Sequence, residues 1–144
     1  MPSRNAILVD TGPLVALFNH RDEYHTVCTE TLKTLRAPLL TVWPVMTEAM
    51  YLLAFSDLAQ EGLWQFLLAR TLLPVSLEYG DVARMRELLQ TYRDRRMDLA
   101  DAALVCVAER EKIRTLFTID QRDFGIYRPK HTHRFHLLPT HSER

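Results

Sequence analysis

The chain has 144 residues, 47% of them apolar and 25% charged, a composition and length suited to one soluble domain with one core, so the whole of 1–144 is read as a single domain. Lys plus Arg equals Asp plus Glu at 18 each, which excludes a bulk electrostatic hold on nucleic acid or membrane and leaves only local basic patches. No apolar run approaches the ~18–20 residues of a membrane span, the apolar start is too short for a signal peptide, and Cys28 and Cys106 stand alone as buried thiols, all of which points to a cytoplasmic protein.

Taken in chain order, "AILV" (6–9) is a short buried strand, and Gly12 and Pro13 then open a turn into a short helix. "EYHTVCTETLKTLR" (23–36) has helical spacing with Val27, Leu32 and Leu35 inward. "PLLTV" (38–42) is a second buried strand, and Pro44 begins the helix of "PVMTEAMYLLAF". "DLAQEGLWQFLLAR" (57–70) is helical with Asp57 as its cap, and "TLLPVSL" (71–77) is a strand that Pro74 consigns to a sheet edge. "GDVARMRELLQTYRDR" (80–95) and "MDLADAALVCVAER" (97–110) are helices, followed by strands at "RTLFTI" (114–119) and "FHLLP" (135–139). Short strands alternating with helices predict an α/β fold with a central, mostly parallel sheet of four to five strands flanked by helices.

Asp10 directly follows the first strand and Asp120 directly follows "TLFTI". Both therefore fall at the carboxyl edge of the sheet, where open parallel sheets bind ligands. Taken singly, each is equally a cap for the next turn. Glu48 shares a helix face with Val45 and Leu52, which embeds a carboxylate in an apolar stripe, at a cost unless a cation or a structural arginine meets it. Asp98 is a good N-cap for the helix that follows, and Asp101 three residues later suits the first turn, from which it can reach back to the cap. Capping leaves one thing unexplained: the residues around Asp101 are apolar on every side, so the helix should be buried all round with Asp101 aimed into the protein.

Asp10, Glu48, Asp101 and Asp120 form a set of acids in apolar surroundings. Gathered together they would repel one another and hold protons unless a hard dication, Mg²⁺ or Mn²⁺, met their charge. No Cys/His cluster offers a zinc-type alternative. A cation held by carboxylates suits phosphodiester hydrolysis.

"LVDTGPLVALF", "TEAMYLL", "MDLADAALVCVAER" and "TLFTIDQRDF", in this order and spacing, resemble the PIN domain, specifically the VapC-type toxins of toxin–antitoxin modules, over about residues 7 to 138. The resemblance implies a Mg²⁺-dependent endoribonuclease with Asp10, Glu48, Asp101 and Asp120 as its four acids. It implies Thr11 and Thr118 as hydroxyls near the first and last acids, with Asp98 as a supporting acid. It further implies a homodimer held in check by a small antitoxin, and structured RNA as substrate. Asp123 competes with Asp120 for the fourth position; Asp120 is preferred because it abuts the apolar strand. Arg93, Arg95, Arg96 and Arg122, with Arg128 and Lys130 beyond, flank the acids in sequence and suit a phosphate-gripping rim, or simply a solvated charged loop.

The late histidines, His131, His133, His136 and His141, are read as surface residues, and Trp43, Trp64 and Phe66 as core or interface. A phosphatase of the haloacid-dehalogenase kind needs a second acid two residues after the first, where this chain has Gly12. A nucleotide-binding fold lacks its glycine-rich loop. The rival from another class is a non-catalytic binding module on a PIN-like scaffold.

Overall fold

A computed structural model describes residues 5–140. Five three-residue strands, β1 (Ile7–Val9), β2 (Leu39–Thr41), β3 (Leu72–Pro74), β4 (Thr115–Phe117) and β5 (His136–Leu138), form one sheet in the order β3-β2-β1-β4-β5. Every pairing is parallel. β1 is central: Leu8 pairs with Leu40 on one side and Leu116 on the other. Its Ile-Leu-Val run is buried on both faces, as expected of a parallel sheet covered by helices. Pro74 lies on an edge strand, where its missing N–H costs no ladder bond.

Among the described residues, seven α-helices make the crossovers: α1 (Thr11–Phe18), α2 (His25–Thr34), α3 (Trp43–Leu52), α4 (Asp57–Leu68), α5 (Val82–Thr91), α6 (Leu99–Glu111) and α7 (Gln121–Ile126). None among the described residues is long and apolar enough to cross a membrane. α6 packs against α3 and α5, and from Ala102 through Glu109 every residue is buried. Its far end carries Glu109, clamped by Arg84 (Nε to Oε1 2.8 Å, Nη2 to Oε2 2.7 Å) and by the Lys130 amide at 2.8 Å. Burial alone would raise the proton affinity of Glu109; these three donors bring it below the ordinary value. Cys28 and Cys106 are buried, and desolvation pushes both thiols up to about 11.

Several local expectations change. Val27 is 42% exposed, and its neighbour Cys28 is the residue that α2 buries. The single helix predicted over 80–95 is broken into α5 between two 3₁₀ turns, Tyr79–Asp81 and Arg93–Arg95. Arg96 ends the second turn in the left-handed region (φ 56°), which directs the chain back toward α6. Trp43 (52% exposed) and Trp64 (45%) are outside the core, whereas Phe66 packs edge-on to Phe18, centroids 4.8 Å apart. α3 starts one residue earlier than Pro44. The cap of α4 is Ser56, whose Oγ accepts from the Ala59 amide at 3.1 Å; Asp57 is the first helical residue. Ser56→Ala should therefore cost about 1 kcal/mol in chemical denaturation, and Asp57→Ala, which removes only a charge near the helix dipole, should cost less; the reverse ranking would refute the assignment.

Candidate active site

The strand order reverses direction between β1 and β4, and in an open parallel sheet the crevice above such a point is the natural ligand site. The two residues that continue these strands meet there. Asp10 is buried at the end of β1, where its amide donates to Phe117 O of β4 at 2.9 Å. Its Oδ1 caps α1 by accepting from the Thr11 amide at 2.8 Å. Its Oδ2 accepts from Thr118 Oγ1 at 2.8 Å, and the same Thr118 oxygen accepts from the Asp120 amide at 3.0 Å. One fully buried hydroxyl thus joins the first acid to the backbone of the last.

A cleft of about 490 Å³ opens over this junction and is lined by seven carboxylates, Asp10, Asp22, Glu48, Asp98, Asp101, Asp120 and Asp123, against one cation, Arg96. Gly12 lies on its floor, where a Cβ would stand 3.2 Å from Ile119. All four acids singled out in the sequence therefore face one cleft, together with Asp98, Thr11 and the contested Asp123. Asp120 is the one tied to Thr118, and its charge acts on both Asp10 and Asp101. Asp123 donates its amide to Asp120 Oδ1 at 3.4 Å. Glu48 departs from expectation: it is half-buried at the rim, because Leu52 below it is 48% exposed and does not seal the stripe.

Asp98 caps α6 as predicted, its Oδ1 accepting from the Asp101 amide at 2.8 Å. Asp101 does not reach back to complete a capping box. Its Oδ2 instead accepts from the buried Tyr127 hydroxyl at 3.2 Å, and Tyr127 is itself packed against Tyr92 and Phe124. Tyr127 and Asp22 are the site residues that the sequence did not reveal. Asp22 sits in the α1–α2 connection with its Oδ1 on the Tyr24 amide at 2.8 Å, which in sequence reads only as a turn.

Among the described cationic residues, only Arg96 lines the cleft. Arg93 lines a separate groove with Val82 and Leu99, and Arg95 does not line the cleft. Arg122 is exposed on α7 next to Asp120. Arg128 turns onto the α7 carbonyls of Gly125 and Ile126, both at 2.8 Å, and Lys130 lies against Glu109 at the far end of α6. His133 and His136 are exposed, as expected; His131 is not, and donates from Nε2 to Ile113 O at 2.6 Å. His141 lies outside the described residues.

Burial pushes the Asp10 carboxyl up to about 6, its bonds to Thr118 and Thr11 moderate the rise, and the charges of Asp120 and Asp98 add to it. Asp101 is raised as well, first by burial and then by Asp98 and Asp10, with Tyr127 working against the rise. Asp120 is raised by partial burial, with Asp123 and Asp98 adding repulsion. Among the described residues, the cleft thus sets seven carboxylates against the single charge of Arg96. Among the described residues, its metal-ligating side chains are all oxygen donors, with no thiol or imidazole, and the buried Thr11 Oγ1 has no hydrogen-bond partner. Among the described residues no three acidic, His or Cys side chains close into a ligand cage. This donor set fits a hard dication held by a pair of carboxylates and keeping several waters, rather than an enclosed ion.

The profile of the PIN domain matches residues 7–128. The chain belongs to the PIN domain family. Ribonuclease VapC26 of Mycobacterium tuberculosis (strain ATCC 25618 / H37Rv) is 28% identical, over 92% of this chain and all of the relative. In fold, this PIN domain is similar to the crystal structure of M. tuberculosis VapC20, described as a sarcin-ricin loop cleaving toxin. There the TM-score is 0.73 and the identity 20%, over 80% of this chain and 90% of that one. It is also similar to a toxin–antitoxin complex from Klebsiella pneumoniae, with a TM-score of 0.62 and 22% identity over 82% and 89% of the two chains. VapBC2 from Rickettsia felis, solved with a DNA fragment from its promoter, matches at a TM-score of 0.55 and 20% identity over 83% and 90%.

The raised carboxyls fix the sign of a pH effect. The unfolded Asp10 ionises near pH 4 and the folded one near about 6, so between these values rising pH favours unfolding, by about 3 kcal/mol in total; Asp101 extends the window upward. In chelator, the thermal midpoint should fall from about pH 5 to pH 8, and Asp101→Asn should flatten that fall. A wild-type profile that rises across the window would contradict the electrostatics of the cleft.

Proposed function

We propose that the protein is a Mg²⁺-dependent endoribonuclease, with Mn²⁺ accepted in place of Mg²⁺, and the toxin of a toxin–antitoxin pair. The observation that carries this reading is the cleft at the β1/β4 switch point, with its desolvated, mutually repelling carboxylates and its unpartnered Thr11 hydroxyl. The relative named as a ribonuclease and the neighbours solved with antitoxins support it. The phosphatase and binding-module readings find no support among these relatives.

Asp10 and Asp101 would hold the ion, with Glu48 and Asp120 completing the site. When bound, Mg²⁺ supplies Lewis-acid chemistry, polarising a phosphodiester oxygen and acidifying a water. The chain's own groups prepare the ground. Thr118 donates to Asp10 Oδ2 and so orients that carboxylate toward the cleft. Tyr127 does the same for Asp101 from the buried side. Asp98 keeps α6 capped, which fixes the position of Asp101 in the first turn. Thr11 Oγ1, free of protein partners, is placed to orient water or a phosphate oxygen. Arg96 supplies the cleft's one positive charge for an RNA phosphate; Arg93, Arg95 and Arg122 would meet the strand farther out.

Beside the acids, Trp43, Tyr51 and Leu99 expose apolar surface along a groove of about 670 Å³ shared with Glu48 and Asp98. Such a groove is suited to a second copy of the chain or to an antitoxin helix. Regulation would then act within reach of the cleft.

Asp101→Asn keeps an oxygen for Tyr127 and removes a charge. It should lower cleavage of pooled tRNA and ribosomal RNA by ~10²-fold or more while leaving the circular dichroism spectrum unchanged. Chelator should abolish wild-type cleavage and Mg²⁺ or Mn²⁺ restore it. Cleavage by the variant at the wild-type rate, or cleavage indifferent to chelator, would refute the assignment.

A further inference from the structure

The opposite edge of the sheet carries a second, basic site. The α6–β4 connection contributes Lys112 and Arg114, the segment before β1 contributes Asn5, and the segment after α7 contributes His131; together they line a pocket of about 320 Å³. Because every strand runs parallel, this amino edge lies across the sheet from Asp10 and Asp120. The acids nearest in sequence are already engaged: Glu109 holds Arg84 and the Lys130 amide, and Glu111 lies 3.4 Å from Arg110. Among the described residues, no carboxylate comes within ion-pair distance of Lys112 or Arg114, and no carboxylate lines the pocket.

His131 adds a directional requirement. Its Nε2 stands 2.6 Å from Ile113 O, and a carbonyl only accepts, so Nε2 bears the hydrogen. That leaves Nδ1, which is buried and has no partner among the described residues. A buried polar atom without a partner costs free energy that a ligand can recover. The ligand must satisfy two exposed cations, Lys112 and Arg114, and an imidazole nitrogen whether or not it carries a proton. A phosphate monoester does so: its anionic oxygens accept from Arg114, Lys112 and an imidazolium Nδ1–H, and its P–OH form donates to a neutral Nδ1. A phosphodiester has no P–OH and lacks the second option.

We propose that this pocket is a second binding site, separate from the acidic cleft, that takes a phosphate monoester, either free or at the end of an RNA chain. The proposal stands whether or not the cleft is a ribonuclease centre. The test uses the full chain, isotope-labelled, in chelator. Inorganic phosphate, a nucleoside 5′-monophosphate, and short RNA oligonucleotides with and without a 5′-phosphate are titrated separately, and the Lys112–Arg114 amides and the His131 ring are followed by NMR.

Saturable shifts at those residues are expected with the first two and with the phosphorylated RNA. The variant Lys112→Gly/Arg114→Gln should weaken binding at least ~10-fold. Glycine accepts the left-handed backbone of position 112 (φ 60°), so the helix end survives; His131→Gln, which keeps a donor for Ile113 O, serves as a second probe and should also weaken binding. Equal affinities for free phosphate and phosphorylated RNA would identify free phosphate as the ligand, and a preference for the phosphorylated RNA would identify an RNA end. Absence of saturable shifts, shifts centred on Asp10 and Asp101, binding unchanged in the double variant, or equal binding of the hydroxyl-ended RNA would each overturn the proposal.

Discussion

Asp10 is kept out of water and Asp101 partly so, within reach of each other's charge and of Asp98 and Asp120. Burial of a carboxylate is costly on its own, and here the usual remedy, an arginine or lysine against it, is missing from the floor of the cleft. The protein meets neighbouring cases differently. Glu109, buried like Asp10, receives a bidentate guanidinium and a backbone amide, and Asp81 receives Arg110. The contrast lies within a single helix: α6 neutralises the acid at its far end and leaves the one at its near end in tension.

That tension is held by rigid parts. Asp10 directly follows the central strand of an all-parallel sheet, and Asp101 lies in the first turn of a helix buried from Ala102 to Glu109. Thr118 and Tyr127, one fully buried hydroxyl and one buried phenol, fix the two carboxylates without neutralising them. A neutral donor orients an acid while keeping its charge available, which an ion pair would not do. The looser members, Glu48 at the rim and Asp120 at the cap of α7, sit where side chains can adjust around a ligand.

Much of this was legible in the sequence where local pattern and tertiary environment coincide. Asp10 follows a run too apolar to be anything but a central strand, and Asp101 interrupts a segment too apolar to be a surface helix. Asp98 is a cap by spacing alone. Legibility fails where the decisive contact is distant. Tyr127 lies 26 positions from Asp101, and nothing beside it marks it as a partner. Glu48 and Leu52 share a helix face by periodicity, but whether that face is covered depends on packing that periodicity does not encode, and Leu52 is left open. Val27 and Asp57 err by one residue each, the ordinary precision of helix phase and helix ends. Arg128 and Lys130 flank the last acid in sequence yet turn away, because α7 ends within a turn and a half and the chain then drops to the other side of the sheet.

The hydroxyl of Thr118 reaches Asp10 across 108 positions. A chain emerging from the ribosome presents β1, and with it Asp10, long before α6, β4 and Thr118 exist. Until those later segments arrive, the first acid has neither its strand neighbour on that side nor its orienting bond. The centre is therefore assembled only once β4 and Thr118 have been made, and a product terminated before them would carry Asp10 and Glu48 but no working arrangement of acids.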